Sequence, residues 1–478
     1  MDLANLTLHT DKYQINMIYA HWKMKRHNKI RVFDAYFRKN PFNNGYAVFA
    51  GLERIVDYIN ALKFSEEHIE YLRSQQESYD EEFLNELRDF SFTGNLYSVE
   101  EGTIIFPNEP IIRVEARIFE AQLIETALLN FMNYQTLIAT KASRIKRVSP
   151  ESTFFEFGTR RAQEADAAIW GSRSAYIAGF DGTSNMESGK RFGIPSIGTH
   201  AHSWIMDFET ELEAFRAYAD VFPDHTVLLV DTYDTLRSGV PNAIKVGKEL
   251  EAKGHRLKGI RLDSGDLSYL SKSARKLLDD AGLDYVTIVA SNDLDENVIL
   301  DLKVQGAKID AWGVGTQLIT AADNPSLGGV YKLVARKEED EYIPVIKISG
   351  NPEKITTPGL KTVYRIIEKS TNKAEGDYIA FLDEDVNSKE KIRMFDPVHT
   401  YLQKDISDFY AIELLKPIFV NGAQVYQLPT LEQIREYHNQ QTNIFWEEYL
   451  RKLNPEHYPV ALSEDVWSVK MSLLTKNK

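Results

Sequence analysis

Two histidines, His200 and His202, lie in one run of small residues, Gly198–Ser203, and are well suited to carry chemistry. If this run is extended, both imidazoles point to the same side, because side chains alternate along a strand. An imidazole with a pKa of about 6.5 is largely neutral at pH 7 and can act as a nucleophile or accept a phosphate. The run therefore predicts a site that uses histidine chemistry.

The histidine pair has two other interpretations. Paired imidazoles at a strand end can bind zinc, but a metallohydrolase needs further ligands, and His225 and His255 precede their strands. Alternatively, one histidine is buried and structural while the other is solvated. For the nucleophile, a hydrogen bond that the second ring nitrogen donates to Asp231, Asp234 or Asp263 would fix the tautomer.

Arginines, glycines and a carboxylate pair supply candidate binding groups. Arg160, Arg161 and Arg261 stand at predicted strand ends, where arginine offers a planar fork to a carboxylate or phosphate, or forms a surface ion pair. Gly313–Thr316 can present consecutive backbone N–H groups to a phosphate, or can end a strand. Asp263–Asp266 suits sugar hydroxyls or Mg²⁺, and it can also cap a helix.

The composition limits the class of protein. The chain has 478 residues, of which 43% are hydrophobic and 26% charged, so two or three domains are expected. A formal charge of −14 argues against a binder of nucleic acid or anionic membranes, which need a basic face. The absence of cysteine excludes disulfides and a thiolate nucleophile. Without a signal segment or a membrane-length apolar run, we expect a cytoplasmic protein.

From residue 153 onward, short apolar runs alternate with helical segments, and each run ends in a polar or glycine cluster. The clusters are Glu156–Arg160, Asp181–Ser184, Gly198–His202, Asp231–Asp234, Arg261–Asp266, Ser291–Asp293 and Gly313–Thr316. Their spacing is roughly that of a strand, a helix and two loops. With residues 329–335 as a possible eighth strand, the pattern predicts a (β/α) barrel whose C-terminal strand ends carry the chemistry. A doubly wound open sheet is the alternative.

We expect three domains. Residues 1–140 form an α+β domain, in which apolar spacing predicts a strand over 31–37 and one long amphipathic helix over 121–147. Residues 141–350 form the irregular barrel. Residues 351–478 contain no chemical cluster, so this extension is expected to be structural and to pack on the N-terminal domain.

Seven motifs, in order along nearly the whole chain, together resemble the nicotinate phosphoribosyltransferase family, of the longer bacterial type. They are Thr10–Gln14, Pro41–Leu52, Glu125–Asn130, Glu156–Arg161, Gly198–Ser203, Arg261–Asp266 and Gly313–Thr316. The resemblance implies the type II phosphoribosyltransferase fold, an irregular (β/α) barrel with an α+β N-terminal domain and a C-terminal extension. It also implies transfer of phosphoribose from phosphoribosyl pyrophosphate to nicotinate in NAD salvage. ATP hydrolysis would be coupled to this transfer through a phosphohistidine.

The same resemblance implies roles for individual residues. His202 would be the phosphohistidine, with Arg261 and Asp263 as further catalytic residues. Tyr13, reaching over from the partner subunit of a homodimer with shared active sites, and Phe157 would sandwich the pyridine ring. Mg²⁺ would accompany phosphoribosyl pyrophosphate and ATP without fixed protein ligands.

The resemblance also implies a set of substrate-binding residues. Arg261, Thr199 and Arg160 would line the nicotinate pocket, and Asp263 would bind the ribose hydroxyls. Gly315 and Thr316 would hold the 5-phosphate. The remaining implied binding residues are Ser184, Ser203 and Asn292.

Ser184 predicts which pyridine is used. Relatives that use nicotinamide carry an aspartate directly after the Gly-Thr of the second barrel strand, where it accepts from the amide. A carboxylate there would repel nicotinate, so Ser184 favours the acid. The alternatives are a nicotinamide phosphoribosyltransferase, a metal-dependent barrel hydrolase using His200 and His202, and a nucleotide-binding regulator without turnover.

Overall fold

The structure, a computed structural model, describes residues 6–399 and 401–476. The chain forms two compact units, one built from residues up to Thr140 and from Ser326 onward, the other from Lys141–Pro325. Within the residues described, no helix is both long and apolar enough to cross a membrane.

The N-terminal part of the first unit mixes strands and helices. The strands are β1 (Ile30–Tyr36), β2 (Ala47–Val48), β3 (Asn95–Ser98), β4 (Ile104–Ile105) and β5 (Ile112–Arg117). The helices are α1 (Lys12–Lys23), α2 (Leu52–Ala61), α3 (Glu66–Arg73), α4 (Glu81–Arg88), α5 (Ile118–Leu123) and α6 (Glu125–Arg147). The single helix predicted over 121–147 is therefore divided into α5 and α6 at Ile124.

The second unit contains six parallel strands and eight helices among its described residues. The strands are β6 (Thr153–Glu156), β7 (Gly182–Thr183), β8 (Val227–Leu229), β9 (Gly259–Leu262), β10 (Thr287–Ser291) and β11 (Ala311–Val314). The helices are α7 (Glu164–Ile177), α8 (Met186–Phe192), α9 (His202–Met206), α10 (Glu211–Val221), α11 (Val240–Ala252), α12 (Leu267–Asp280), α13 (Glu296–Val304) and α14 (Thr316–Ile319).

These six strands pair in the order β7-β6-β11-β10-β9-β8. The open side is spanned by the segment before α9, because Ser196 bridges Thr183 in parallel and the Leu229 N–H donates to His200 Nε2 at 3.3 Å. Around this circle the strands follow chain order, and the last strand, β11, lies beside the first, β6. A doubly wound sheet would reverse its order at a switch point. The predicted irregular (β/α) barrel is confirmed.

Apolar side chains explain why these short segments become barrel strands. Ile260 and Leu262 in β9, Ile288 in β10 and Val314 in β11 are buried. Strands covered on both faces carry such near-continuous apolar runs. Each run ends where polar residues begin, so the side chains with chemical function collect at the C-terminal edge of the sheet.

The C-terminal part of the first unit is rich in strands. They are β12 (Val330–Glu338), β13 (Glu341–Pro344), β14 (Lys361–Glu368), β15 (Ala374–Phe381), β16 (Lys391–Phe395), β17 (Gln403–Ser407), β18 (Phe409–Glu413), β19 (Lys416–Val420), β20 (Ala423–Gln424) and β21 (Val460–Leu462). The helices are α15 (Leu431–Asn443), α16 (Glu447–Leu450) and α17 (Glu464–Lys476).

Strands from both ends of the chain share one sheet in the first unit, in the order β13-β12-β1-β5-β3-β19-β20. Here β12 pairs antiparallel with β1, and β19 pairs antiparallel with β3. The prediction that residues 329–335 form an eighth barrel strand is therefore wrong. A second sheet, β17-β16-β21-β15-β14-β18, belongs entirely to the C-terminal part.

Candidate active site

A cavity of about 450 Å³ opens at the C-terminal strand ends of the barrel. Most of its lining comes from four of the predicted polar clusters. The lining residues are Phe157, Thr159, Arg160, Ser184, Gly198, Thr199, Ala201, His202, Ser203, Leu229, Arg261 and Asp263. A cavity of this size at this edge of a barrel suits a small-molecule substrate.

His200 and His202 occupy different environments, so the prediction that both imidazoles point the same way is wrong. The extended conformation ends at Ala201, and α9 begins at His202. His200 is 7% exposed, its Nε2 accepts from the Leu229 N–H, and its ring packs edge-on against Tyr218. Burial lowers the pKa of His200 to about 4, which keeps the ring neutral at pH 7. His200 is a structural residue of the barrel wall.

His202 faces the cavity, and its side chain is 39% exposed. Its Nδ1 forms a 3.1 Å hydrogen bond with the Thr232 hydroxyl. Its Nε2 lies 3.9 Å from Asp263 Oδ2 and 4.0 Å from Asp231 Oδ1. Thr232 was not among the candidates for fixing the tautomer, although it stands inside the Asp231–Asp234 cluster.

Asp234 does not form a hydrogen bond with His202, although it was one of the three aspartates considered for fixing the tautomer of that histidine. Its carboxylate accepts from the backbone N–H groups of Leu236 and Arg237, and it caps the helical turn that follows. Asp231 instead turns toward β9, where its Oδ2 accepts from the Asp263 N–H at 2.8 Å and from the Ser264 hydroxyl at 2.6 Å. Asp231, three residues before the cap Asp234, is thus the carboxylate of this cluster that reaches the site.

Arg261, near the end of β9, is held by a network of hydrogen bonds. Its Nη2 donates to Asp263 Oδ1 at 2.7 Å, its Nε to the Ser291 hydroxyl at 2.9 Å, and its Nη1 to the Thr199 hydroxyl at 3.2 Å. The Ser291 hydroxyl also bonds to Asp263 Oδ1. The plane of this guanidinium is therefore set by side chains from the end of β9, the end of β10 and the segment before α9.

Phe157 forms an aromatic wall beside this guanidinium. The Arg261 Cζ atom lies 5.7 Å from the Phe157 ring centroid, and the Phe157 N–H donates to the Val314 carbonyl at 2.8 Å. A Cβ at Gly313 would approach a ring carbon of Phe157 to 2.5 Å, so the absence of a side chain at Gly313 makes room for the ring. The first glycine of the Gly313–Thr316 run therefore leaves space for an aromatic ring.

The buried carboxylate of Glu156 ties together the loops that carry Phe157, Arg160 and Ser184. It accepts from the Gly158 N–H, from the Ser172 hydroxyl at 2.8 Å and from the Thr183 hydroxyl at 2.6 Å. Burial raises the pKa of Glu156, and these hydrogen bonds oppose that shift. Its position in the Glu156–Arg161 motif was the only sequence signal for this role.

Several predicted site residues do not line the cavity. Asn292 follows β10 with a positive φ of 89°, and Gly315 and Thr316 follow β11 at the start of α14. A Cβ at Gly315 would lie 3.4 Å from the Phe157 carbonyl oxygen, so this backbone borders the Phe157 loop. Tyr13 lies on α1 of the first unit and is half exposed.

Models of one protein family match most of the chain. The nicotinate phosphoribosyltransferase N-terminal domain matches residues 8–133, the nicotinate phosphoribosyltransferase family model matches residues 152–373, and the C-terminal domain matches residues 360–470. The three matches lie in chain order, and the last two overlap over residues 360–373.

Individual relatives agree with the family models. The chain is 55% identical to the nicotinate phosphoribosyltransferase of Bacillus subtilis, covering 99% of this chain and 96% of that protein. It is 30% identical to the human nicotinate phosphoribosyltransferase, covering 97% and 96%. The crystal structure of human nicotinic acid phosphoribosyltransferase superposes with a TM-score of 0.86 at 28% identity, covering 97% of this chain and 99% of that chain. The chain therefore belongs to the nicotinate phosphoribosyltransferase family.

Proposed function

We propose that this enzyme joins nicotinate to phosphoribosyl pyrophosphate in NAD salvage, releasing nicotinate mononucleotide and pyrophosphate, with ATP hydrolysis coupled through His202. One observation carries the proposal. The Phe157 ring, the Arg261 guanidinium and the His202 imidazole line one cavity, which thereby offers an aromatic face, a carboxylate-binding fork and a phosphate acceptor.

The pyridine ring would lie on Phe157, with its carboxylate toward Arg261, Thr199 and Arg160. Asp263 would accept hydrogen bonds from the ribose hydroxyls. The glycosyl transfer passes through a cationic ribose, so the site must position its reactants and needs little covalent chemistry. The other proposed substrate contacts are Ser184, Ser203, Asn292, Gly315 and Thr316.

The site also fits Mg²⁺ carried by the substrates. Asp231 Oδ1 is buried and has no hydrogen-bond partner among the described residues, and Asp263 Oδ2 points to the same place beside His202. Mg²⁺ is usually held by one or two carboxylates together with substrate phosphates. When bound, the ion would neutralise charge on the leaving pyrophosphate. The substrate phosphates would carry the ion past Asp231, and Asp263 Oδ2 would bind the ribose hydroxyls.

We test the activity by following pyrophosphate release from phosphoribosyl pyrophosphate, with nicotinate or nicotinamide and with or without ATP. We expect turnover with nicotinate and stimulation by ATP. Zinc-dependent activity that does not respond to phosphoribosyl pyrophosphate would identify a hydrolase. Binding of the substrates without turnover would identify a regulator.

His202 is tested with γ-labelled ATP. We expect acid-labile, base-stable label on the wild-type protein and none on His202→Ala, which should keep weak, ATP-independent transfer because a phosphohistidine couples and does not perform glycosyl transfer. His225→Ala, at an exposed histidine outside the cavity, is the matched control. Label that survives in His202→Ala, or transfer that vanishes from a folded His202→Ala, would contradict this role.

We also propose a homodimer whose sites are completed by Tyr13 of the partner subunit, and a cytoplasmic location. Both are supported by the family resemblance and stay predictions. The cytoplasmic location is checked by cell fractionation.

A further inference from the structure

Ser291 is the last residue of β10 and is only 3% exposed. It does not line the cavity but stands behind Arg261 and Asp263, which do. The Ser291–Asp293 cluster marked this strand end in the sequence, yet Ser291 itself was assigned no role. The buried hydroxyl of Ser291 contacts both of these cavity residues.

The direction of each hydrogen bond at Ser291 follows from the chemistry of its partners. A guanidinium can only donate, so the Ser291 oxygen accepts from Arg261 Nε at 2.9 Å. The single hydroxyl proton is then donated to Asp263 Oδ1, which also accepts from Arg261 Nη2. Ser291 thus closes a ring of three hydrogen bonds that contains one cation and one anion.

This ring fixes which atoms of Arg261 and Asp263 face the substrate. The Nε proton and one Nη2 proton of Arg261 are donated to Ser291 and Asp263. The edge formed by Nη1 and Nη2 is therefore directed to the cavity beside Thr199. Asp263 uses Oδ1 inward, so Oδ2 is directed to the cavity beside His202. A rotation of either side chain would break a bond to Ser291.

We infer that Ser291 is a positioning residue that orients both the nicotinate-binding edge of Arg261 and the ribose-binding oxygen of Asp263. The inference rests on the roles proposed above for Arg261 and Asp263. Ser291 touches neither substrate, so it acts through these two side chains.

The test compares kinetic constants of Ser291→Ala and Thr199→Val. Ser291→Ala should raise the KM of nicotinate and the KM of phosphoribosyl pyrophosphate together, each about tenfold, because loss of a hydrogen bond to a charged group is of that order. Thr199→Val loses its contact to Arg261 and its proposed contact to the nicotinate carboxylate but no contact to Asp263, so it should raise only the KM of nicotinate. In both variants kcat should change less than KM.

Ser268→Ala is the matched control, because Ser268 is a buried serine of the same unit whose hydroxyl has no hydrogen-bond partner among the described residues. It should leave both KM values unchanged. If Ser291→Ala does not fold, Ser291→Cys replaces it, since a thiol has similar size but is a weak donor. Its two KM values should shift in the same direction.

The inference is overturned if Ser291→Ala keeps both KM values. A fall in kcat and in the melting temperature with unchanged KM values would identify a purely structural residue. Arg261→Lys and Asp263→Asn separate this from a failure of the proposed function. If those two variants raise no KM, the proposed roles fail; if they do and Ser291→Ala does not, only Ser291 is misassigned.

Discussion

Ser184 follows the end of β7 and lines the cavity as an exposed serine. Placing a carboxylate there should repel the nicotinate carboxylate and accept from the nicotinamide amide. We expect Ser184→Asp to raise the ratio of kcat/KM for nicotinamide over nicotinate about tenfold, the order of one screened charge contact. Ser184→Asn has nearly the same size without the charge and is the control. An unchanged ratio in Ser184→Asp would refute the assignment.

His200 makes the stability of the protein depend on pH. Its pKa is about 4 when folded and about 6.5 when unfolded, so the unfolded state takes up a proton first as the pH falls. Stability from His200 is therefore complete above about pH 6.5 and is lost as the pH falls toward 4, by about 2 kcal/mol at pH 5.

Denaturant unfolding at pH 7.5 and pH 5 tests this linkage. His200→Gln can still accept the Leu229 N–H but does not titrate, so its free energy of unfolding should fall less between these two pH values. An identical fall in the wild type and in His200→Gln would show that His200 is not the responsible group.

Residue types and their clusters could be predicted from the sequence, but their individual contacts could not. The Gly198–Ser203 run identified two histidines, and it could not separate them because the start of α9 at His202 interrupts the alternation. Thr232 and Ser291 stood inside predicted clusters, yet a hydroxyl gains its role only from side chains on other strands. His202 was separated from His200 by family resemblance.

Gly313 in strand β11 leaves the space that is occupied by the ring of Phe157, the aromatic wall of the cavity. Because a Cβ at that position would approach the Phe157 ring to 2.5 Å, Gly313→Ala must displace the ring. We expect the KM of nicotinate to rise about tenfold, the order of a lost aromatic contact, with little change in the melting temperature. Steady-state kinetics checks this expectation.

Gly350→Ala is the control for Gly313→Ala, since a Cβ at Gly350 meets no atom within 4 Å and its φ is ordinary. It should leave the KM of nicotinate unaltered. Equal constants in wild type and Gly313→Ala would mean that Phe157 does not contact the pyridine.

At the level of elements, the barrel strands were predictable because each apolar run ends in a polar cluster. The strand at 330–338 was equally visible, but it was assigned to the wrong sheet. Its alternation shows that it is a strand and does not encode its partner, which is β1, about 300 residues away. The break between α5 and α6 could not be predicted because the apolar spacing continues across Ile124.

For the whole molecule, the sequence predicted the family and the barrel, and both are confirmed. The shared-site dimer stays a prediction and can be tested by mixing subunits. Tyr13→Ala and Arg261→Ala chains should each be nearly inactive alone. If Tyr13 serves the partner's site, a mixed population should recover about a quarter of wild-type activity, because about half the dimers are mixed and each has one intact site.

Mixing two Tyr13→Ala chains carrying different tags is the control and should recover nothing. No recovery in the Tyr13→Ala and Arg261→Ala mixture, with mixed dimers demonstrated by double purification, would show that each site is completed within one chain.

The sheet that contains β1, β5 and β3 is completed only by β12 and β19, which follow the entire barrel in the chain. On the ribosome, the first 140 or so residues emerge with both edges of this sheet unpaired. The barrel, whose beginning and end are joined by the ion pair of Lys141 with Asp323 at 3.0 Å, can close as soon as its own residues have emerged. Residues that are synthesised before the barrel thus complete their sheet after it, and the open edges of that sheet are exposed to aggregation until β12 and β19 have emerged.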